Sequence, residues 1–281
     1  MARINSWLRH GMAHSAATLV AMLVLTSGGA TRASEEEVSL HQEEAGRVTR
    51  QERPFVFLTD PSTPSARVLT MGYQFGLGSG ISADRPLPVN MATANGSHTV
   101  GLSYGITSRL APFSNVTFAE ATPGSGKFST NVQGGIEYQF TRPSAPLRFS
   151  LIAAGVHEGA SGANGFSALF AASYDVGALK FGGNVRADKM FAEDRDEVDL
   201  FALVGVSYRV TDAIRLGAEY VGQDLEDAFT EDAEGGARHA IGPTVAFDLE
   251  GGRYQITVGS GFGLTSKSPT ALVRAGLAMN F

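Results

Sequence analysis

The sequence contains no cysteine among its 281 residues. Without a thiol the chain can form neither a disulfide framework nor a thiolate metal site, and a cysteine nucleophile is excluded as well. Charged residues are also scarce, at 18%, whereas glycine is abundant, with 34 residues, and phenylalanine contributes 17. This composition favours a β protein rich in turns over a helical one.

The apolar stretch near the N-terminus, residues 16–25, is too short to cross a bilayer, since a membrane helix needs about 20 apolar residues. It follows Arg3 and Arg9 and precedes small residues that allow cleavage after Ala30 or Ala33. This order predicts a cleaved secretory signal peptide over residues 1–33.

The net charge disfavours nucleic acid as a partner. The full chain carries a formal charge of −6, and cleavage after Ala33 would remove Arg3, Arg9 and Arg32 but no acid. The mature chain is therefore still more acidic, whereas phosphate binding needs a basic surface.

Residues 34–65 differ in composition from both flanking regions. Residues 34–52 are acidic and polar, which predicts a disordered or partly helical periplasmic tail, with a plug inside the lumen as the alternative. Residues 53–65 contain Pro54, Pro61 and Pro64. This predicts a lead-in segment and not a central strand.

From Ala66 to the end of the chain, apolar and polar residues alternate with a period of two, which is typical of β-strands with two unlike faces. Residues 111–121 fit this alternation least well. Connections are alternately short and long, as in outer-membrane barrels. We therefore predict an all-β fold, a transmembrane antiparallel up-and-down β-barrel of about twelve strands, over residues 66–281. The predicted strands are 69–78, 98–107, 111–121, 127–140, 146–156, 165–176, 179–190, 197–210, 213–222, 238–249, 252–263 and 271–281.

Aromatic residues on the predicted outer face concentrate near the short turns, which we call the short-turn end of the barrel, as opposed to the long-loop end. Aromatic rings collect at bilayer interfaces because they tolerate both lipid and water. A soluble core has no reason to sort its aromatic residues by height. The predicted interfacial girdle comprises Tyr104, Tyr138, Phe140, Phe149, Tyr174, Phe181, Tyr208, Phe247, Tyr254 and Phe281.

The opposite face carries many charges in mid-strand, which a small dry core of a soluble secreted β protein could not bury at tolerable cost. A wet or salt-bridged lumen can hold them. The predicted lumen-lining residues are Glu137, Arg148, Lys180, Arg186, Asp188, Asp199, Arg209, Arg215, Glu219, Asp248, Arg253 and Arg274.

Two tight turns predict strand register. A two-residue turn at Gly177-Ala178 sets Tyr174 against Phe181 outside and Asp175 against Lys180 inside. At the turn near residues 250–252, either of two registers sets an acid, Asp248 or Glu250, against Arg253.

Glycines on the inner face allow two interpretations. They relieve crowding where the strands of a small barrel bend, or they leave room for a narrow water path or for the N-terminal segment. The predicted inward glycines are Gly72, Gly76, Gly78, Gly101, Gly105, Gly135, Gly182, Gly205, Gly217, Gly242, Gly259, Gly261 and Gly276.

No motif in the sequence predicts an enzyme. Barrel lipases and deacylases place a serine two residues after a histidine, but Val100, Gly159 and Ile241 follow His98, His157 and His239 at that spacing. The acidic residues of the 223–236 loop lack the spacing of a calcium-binding loop, so we expect no metal site and no cofactor.

The chain ends on Phe281 after apolar residues at every second position, and this ending resembles the assembly signal of bacterial outer-membrane barrels. The resemblance implies recognition by the barrel-assembly machinery. The lead-in Arg53-Pro54 with Thr59-Asp60-Pro61-Ser62-Thr63-Pro64 is similar to the start of outer-membrane barrels of the MetA pathway of phenol degradation, which implies passage of small, including aromatic, molecules.

Taken together, these features predict a protein of the bacterial outer membrane that contacts lipid and lipopolysaccharide and acts as a passive channel for small solutes. A structural or surface-interaction barrel that presents its acidic loops is the alternative, and an outer-leaflet hydrolase is the third hypothesis.

Overall fold

The computed structural model describes residues 53–80, 96–120, 127–192, 198–223, 238–266 and 268–281. Within these ranges the chain forms a closed antiparallel barrel in which each strand pairs with its sequence neighbours and β1 pairs with β12. The strands are β1 (Leu69–Ser79), β2 (Ser97–Tyr104), β3 (Leu110–Glu120), β4 (Phe128–Gln139), β5 (Leu147–Glu158), β6 (Ala163–Val176), β7 (Leu179–Phe191), β8 (Val198–Arg209), β9 (Ile214–Gln223), β10 (Arg238–Leu249), β11 (Tyr254–Gly263) and β12 (Ala271–Asn280). A short 3-10 helix, Glu250–Gly252, lies between β10 and β11.

The twelve-strand barrel confirms the predicted fold class, including the strand that fits the alternation least well. β3 pairs along its whole length with β4, from Leu110 opposite Tyr138 to Glu120 opposite Phe128, and also pairs with β2. Its weak alternation therefore reflects the residues it carries and not a break in the sheet. Among the described residues, no helix is long and apolar enough to cross a bilayer.

The predicted register at the tightest turn is confirmed. Gly177 adopts a φ of 60°, a left-handed conformation that favours glycine. The turn sets Tyr174 opposite Phe181 and Asp175 opposite Lys180. At the β10–β11 connection, the acid that faces Arg253 is Glu250, with 3.8 Å between the charged atoms.

Large apolar side chains lie on the outer face and polar ones lie inside. Ile136, Val185 and Val204 are more than half exposed on the outside, whereas Lys180 is 1% exposed inside the barrel. A soluble barrel has the reverse arrangement, because its apolar face turns inward. This distribution agrees with the predicted barrel of the outer membrane, whose outer surface meets lipid.

All ten residues of the predicted girdle lie within two residues of a strand end on the short-turn side of the barrel. Seven are exposed, and Phe149, Phe247 and Tyr254 are half-buried. The rings of Tyr138 and Phe140 meet edge to face, with 5.2 Å between their centres. Their role as anchors at the membrane interface stays a prediction.

Candidate functional site: the barrel lumen

Residues 53–65 lie inside the barrel. Phe55, Val56, Phe57 and Leu58 are all buried, at 9% exposure or less. They form one apolar cluster with inward-facing residues of four strands, namely Phe201, Leu203, Val221, Ala240 and Leu272. We call residues 53–65 the lumen segment; it occupies space that an open pore of this strand number would leave to water.

One carboxylate of the barrel wall binds the lumen segment through its backbone. Glu219 of β9 is 2% exposed. It accepts hydrogen bonds from the backbone N–H groups of Val56 (2.6 Å), Phe57 (2.9 Å) and Leu58 (2.8 Å). A charged acceptor makes such bonds stronger than neutral ones, and it satisfies three donors that burial would otherwise leave without water.

Strand β7 holds the next part of the lumen segment. The Asn184 side chain accepts a hydrogen bond from the Thr59 backbone N–H (2.7 Å) and donates one to the Thr59 carbonyl (2.9 Å). Lys180 forms an ion pair with Asp60, and both side chains are at most 2% exposed. Ser62 donates a hydrogen bond to the Asp60 carboxylate. The wall therefore holds the segment both by backbone hydrogen bonds and by charge pairing.

Arg274 of β12 contacts the lumen segment at Val56 and Phe57. The guanidinium carbon lies 5.0 Å from the centre of the Phe57 ring, a cation–π distance, and the group donates to the Val56 carbonyl at 3.4 Å. Gln74 of β1 donates to the same carbonyl at 3.5 Å. The segment thus contacts strands on both sides of the barrel closure.

Several inward glycines provide the space for the lumen segment. A Cβ atom added at Gly182 or Gly205 would lie 2.8 or 2.7 Å from the Phe55 ring, closer than real Cβ contacts allow. At Gly105 it would collide with the Ser65 carbonyl. In contrast, a Cβ at Gly135 or Gly242 would collide with the backbone of a neighbouring strand. Some inward glycines therefore leave room for the lumen segment, and others relieve crowding between neighbouring strands, so that both interpretations hold at different positions.

The structure distributes the predicted lumen-lining charges over three environments. Lys180, Asp188, Arg215, Glu219 and Arg274 are buried; Glu137, Arg148, Arg186, Asp199, Arg209 and Asp248 are half-buried; Arg253 is exposed. Arg253 lies in the β10–β11 turn beside Glu250 and not within the lumen proper. The sequence pattern could not show this, because the alternation of faces continues past the point where the barrel wall ends.

The half-buried arginines Arg148 and Arg186 pair with carboxylates of the wall. Arg148 of β5 forms an ion pair with Asp175 of β6. Arg186 binds Asp188 on its own strand through two hydrogen bonds of 2.8 and 2.5 Å, and it also lies over the Phe201 ring at 5.7 Å. These pairs neutralise charge locally instead of leaving a field of one sign in the lumen.

Beside the lumen segment a cavity of about 340 Å³ remains. The segment itself supplies part of its lining, from Arg53 to Ser62, and strands on both sides of the barrel closure supply the rest. On β1 to β4 the lining is largely polar and uncharged, with Thr70, Gln74, Thr99, Ser103, Asn115 and Gln133. This cavity is free space inside the barrel beside the lumen segment.

Reasoning from the sequence missed the apolar contacts of the lumen segment and this neutral polar lining. The run Phe55-Val56-Phe57-Leu58 was a usable signal, since a solvated lead-in has no need of four consecutive large apolar residues. The neutral lining has a weaker sequence signal, because Thr, Asn and Gln stand out less on a strand than charged residues do.

Three predicted features fall outside the described residues: the signal peptide (1–33), the acidic tail (34–52) and the acidic residues of the 224–234 loop. The three histidines are described. His98, His157 and His239 contact Tyr73, Asn164 and Tyr220 through Nδ1, at 2.7, 3.0 and 2.5 Å. Among the described residues, no serine hydroxyl is hydrogen-bonded to one of these imidazole rings, so a serine-histidine pair is not assembled there.

Solved structures of outer-membrane porins and channels share this fold. The KdgM porin in complex with disordered oligogalacturonate aligns with a TM-score of 0.52 and 12% identity, over 75% of this chain and 99% of that chain. An outer-membrane channel from Pseudomonas putida F1 aligns with a TM-score of 0.56 and 11% identity, over 82% and 100%. The NanC porin gives 0.50 and 11%, over 74% and 98%. No protein-family model matches the sequence, and no curated protein matches it. At these identities the similarity concerns the fold alone.

Proposed function

We propose that the protein is a passive outer-membrane channel for small solutes, narrowed by its own lumen segment. The cavity of about 340 Å³ between the segment and the wall carries this proposal. Polar side chains line it inside a barrel whose outer face is apolar, so water and small solutes are favoured there over lipid.

The geometry of the segment supports a narrow pathway over a wide one. Its contacts with Glu219, Asn184, Lys180 and Arg274 hold it against strands β7, β9 and β12. The cavity lies beside the segment, and strands β1 to β8, β11 and β12 contribute to its lining. A solute therefore has to pass beside the segment or displace it.

The similarity in fold to outer-membrane porins is consistent with a channel. Because one of these porins was solved with an oligogalacturonate, a saccharide is one class of solute to test in this protein. The alternative, a barrel that presents acidic loops, depends on residues 224–234, which lie outside the described part of the chain. No described contact supports that alternative.

Conductance in planar bilayers tests the proposal. Refolded protein from residue 34 onward should open channels of small conductance. A variant that lacks residues 34–65 should have a conductance at least about twofold higher, because the lumen of a twelve-strand barrel is then open. Both preparations are first checked for heat-modifiable migration, which reports a folded barrel. Absence of conductance in both folded preparations would overturn the proposal.

A further inference from the structure

Neutral polar side chains line the cavity on four adjacent strands, where Glu137 of β4 is the one charged lining residue among those described. Thr70 and Gln74 of β1, Thr99 and Ser103 of β2, Asn115 of β3 and Gln133 of β4 all line it. Their registers place Gln74 opposite Thr99 and Asn115 opposite Gln133. This surface offers hydroxyl and amide groups, which both donate and accept hydrogen bonds and carry no charge.

Apolar residues line other parts of the same cavity. Phe57 of the lumen segment, Phe113 of β3 and Phe201 of β8 contribute rings, and Ile152 and Leu169 contribute aliphatic surface. A solute in this cavity thus meets hydrogen-bonding groups and apolar surface together. A solute whose ring carries hydroxyl groups at its edges and C–H groups on its faces matches this combination.

The charges around the cavity are compensated. Arg186 binds Asp188, and Asp60 binds Lys180. Arg53 and Glu137 both line the cavity and attract each other, and Glu219 attracts Arg274, which lines it too. An ion entering here would lose hydration without meeting an excess of opposite charge, and such a transfer is unfavourable.

We infer that the channel passes small uncharged polyhydroxylated solutes, of the size of a monosaccharide, in preference to ions of equal size. The inference rests on the proposed channel function and adds the class of solute. The cavity volume of about 340 Å³ supports one ring and not an oligomer, since it lies at the lower end of the roughly 300–1,000 Å³ of small-molecule sites.

Proteoliposome swelling with three solutes of nearly equal size tests the inference. We expect D-glucose to enter about tenfold faster than D-gluconate or D-glucosamine, because the ions have to shed hydration in a passage whose charges are already compensated. Entry of either ion at the rate of glucose or faster would overturn the inference and leave the proposed channel standing. If none of the three enters, and the 34–65 deletion is also impermeable, the proposed function itself fails.

Nearly isosteric substitutions test whether this wall determines the selectivity for uncharged solutes. Asn115→Asp and Gln74→Glu each add one negative charge to the lining with little change in volume. We expect glucosamine entry to rise several-fold in both variants while gluconate entry stays low. Asn164→Asp is the matched control, because Asn164 is exposed near the long-loop end beside His157. If the control changes selectivity as much as the two lumen variants do, the cavity wall is not the selective element and the inference is overturned.

Discussion

The two sides of the lumen are built on different physical principles. The side formed by β7 to β12, which we call the packed side, is filled by Phe55 to Leu58 and fastened by buried charges. The side formed by β1 to β4, which we call the open side, carries mostly neutral polar residues along the cavity, together with Glu137. The difference shows how one small barrel can hold a densely packed segment and still leave a polar cavity beside it.

The contacts of the packed side explain why charged residues are retained inside this barrel. Glu219 binds three backbone N–H groups and Lys180 binds Asp60 of the lumen segment. Buried charges of this kind are stable only with full hydrogen bonding, so losing one partner is strongly unfavourable. The following predictions use that property to separate the two sides.

Removing the Glu219 carboxylate should have the largest effect. Glu219→Ala leaves three buried N–H donors without an acceptor, and each such loss costs about 1–3 kcal/mol. We expect the lumen segment to leave its site. Since the chain has no native cysteine, a Val56→Cys background reports this, and maleimide labelling should accelerate more than tenfold.

Asn115→Ala in the same Val56→Cys background is the control from the open side, because none of the hydrogen bonds described above joins Asn115 to the lumen segment. Labelling should stay slow there. Equal acceleration in both variants would mean that the two sides do not differ in how they hold the segment.

Breaking the buried ion pair should have the next largest effect. Lys180→Met leaves the Asp60 carboxylate buried without its cation, which destabilises by about 3–5 kcal/mol. We expect lower thermal stability of the refolded barrel and a higher channel conductance. The double variant Asp60→Asn with Lys180→Met should reverse a large part of both changes, and a double variant as unstable as Lys180→Met alone would contradict the pairing.

Filling the space left by glycine should have the smallest effect. Gly205→Val places side-chain atoms where the Phe55 ring lies, and overpacking of this kind costs about 1–3 kcal/mol. Maleimide labelling in the Val56→Cys background should rise several-fold. Gly155→Val is the matched control, since a Cβ at Gly155 meets nothing within 4 Å. If the two variants label at the same rate, Gly205 does not accommodate the segment.

Much of the barrel was predictable because its signals are local. The period of two, which holds well everywhere but at residues 111–121, predicted about twelve strands, and the turn at Gly177 predicted that Asp175 lies opposite Lys180. The partners in the ion pairs between described residues were less predictable. Asp175 pairs with Arg148 of the adjacent strand and Lys180 pairs with Asp60 of the lumen segment, because side chains of a curved wall reach neighbours that register alone does not specify.

The sequence alone determined the strand pattern, the apolar outer face and the charged inner face, since each follows from alternation along a short stretch of chain. Only the tertiary structure decided that residues 53–65 lie in the lumen. That outcome depends on contacts such as Val56 with Glu219, which are 163 positions apart, and on space left by Gly182 and Gly205. A pattern within one segment carries no information about such partners, because closure of the barrel brings them together.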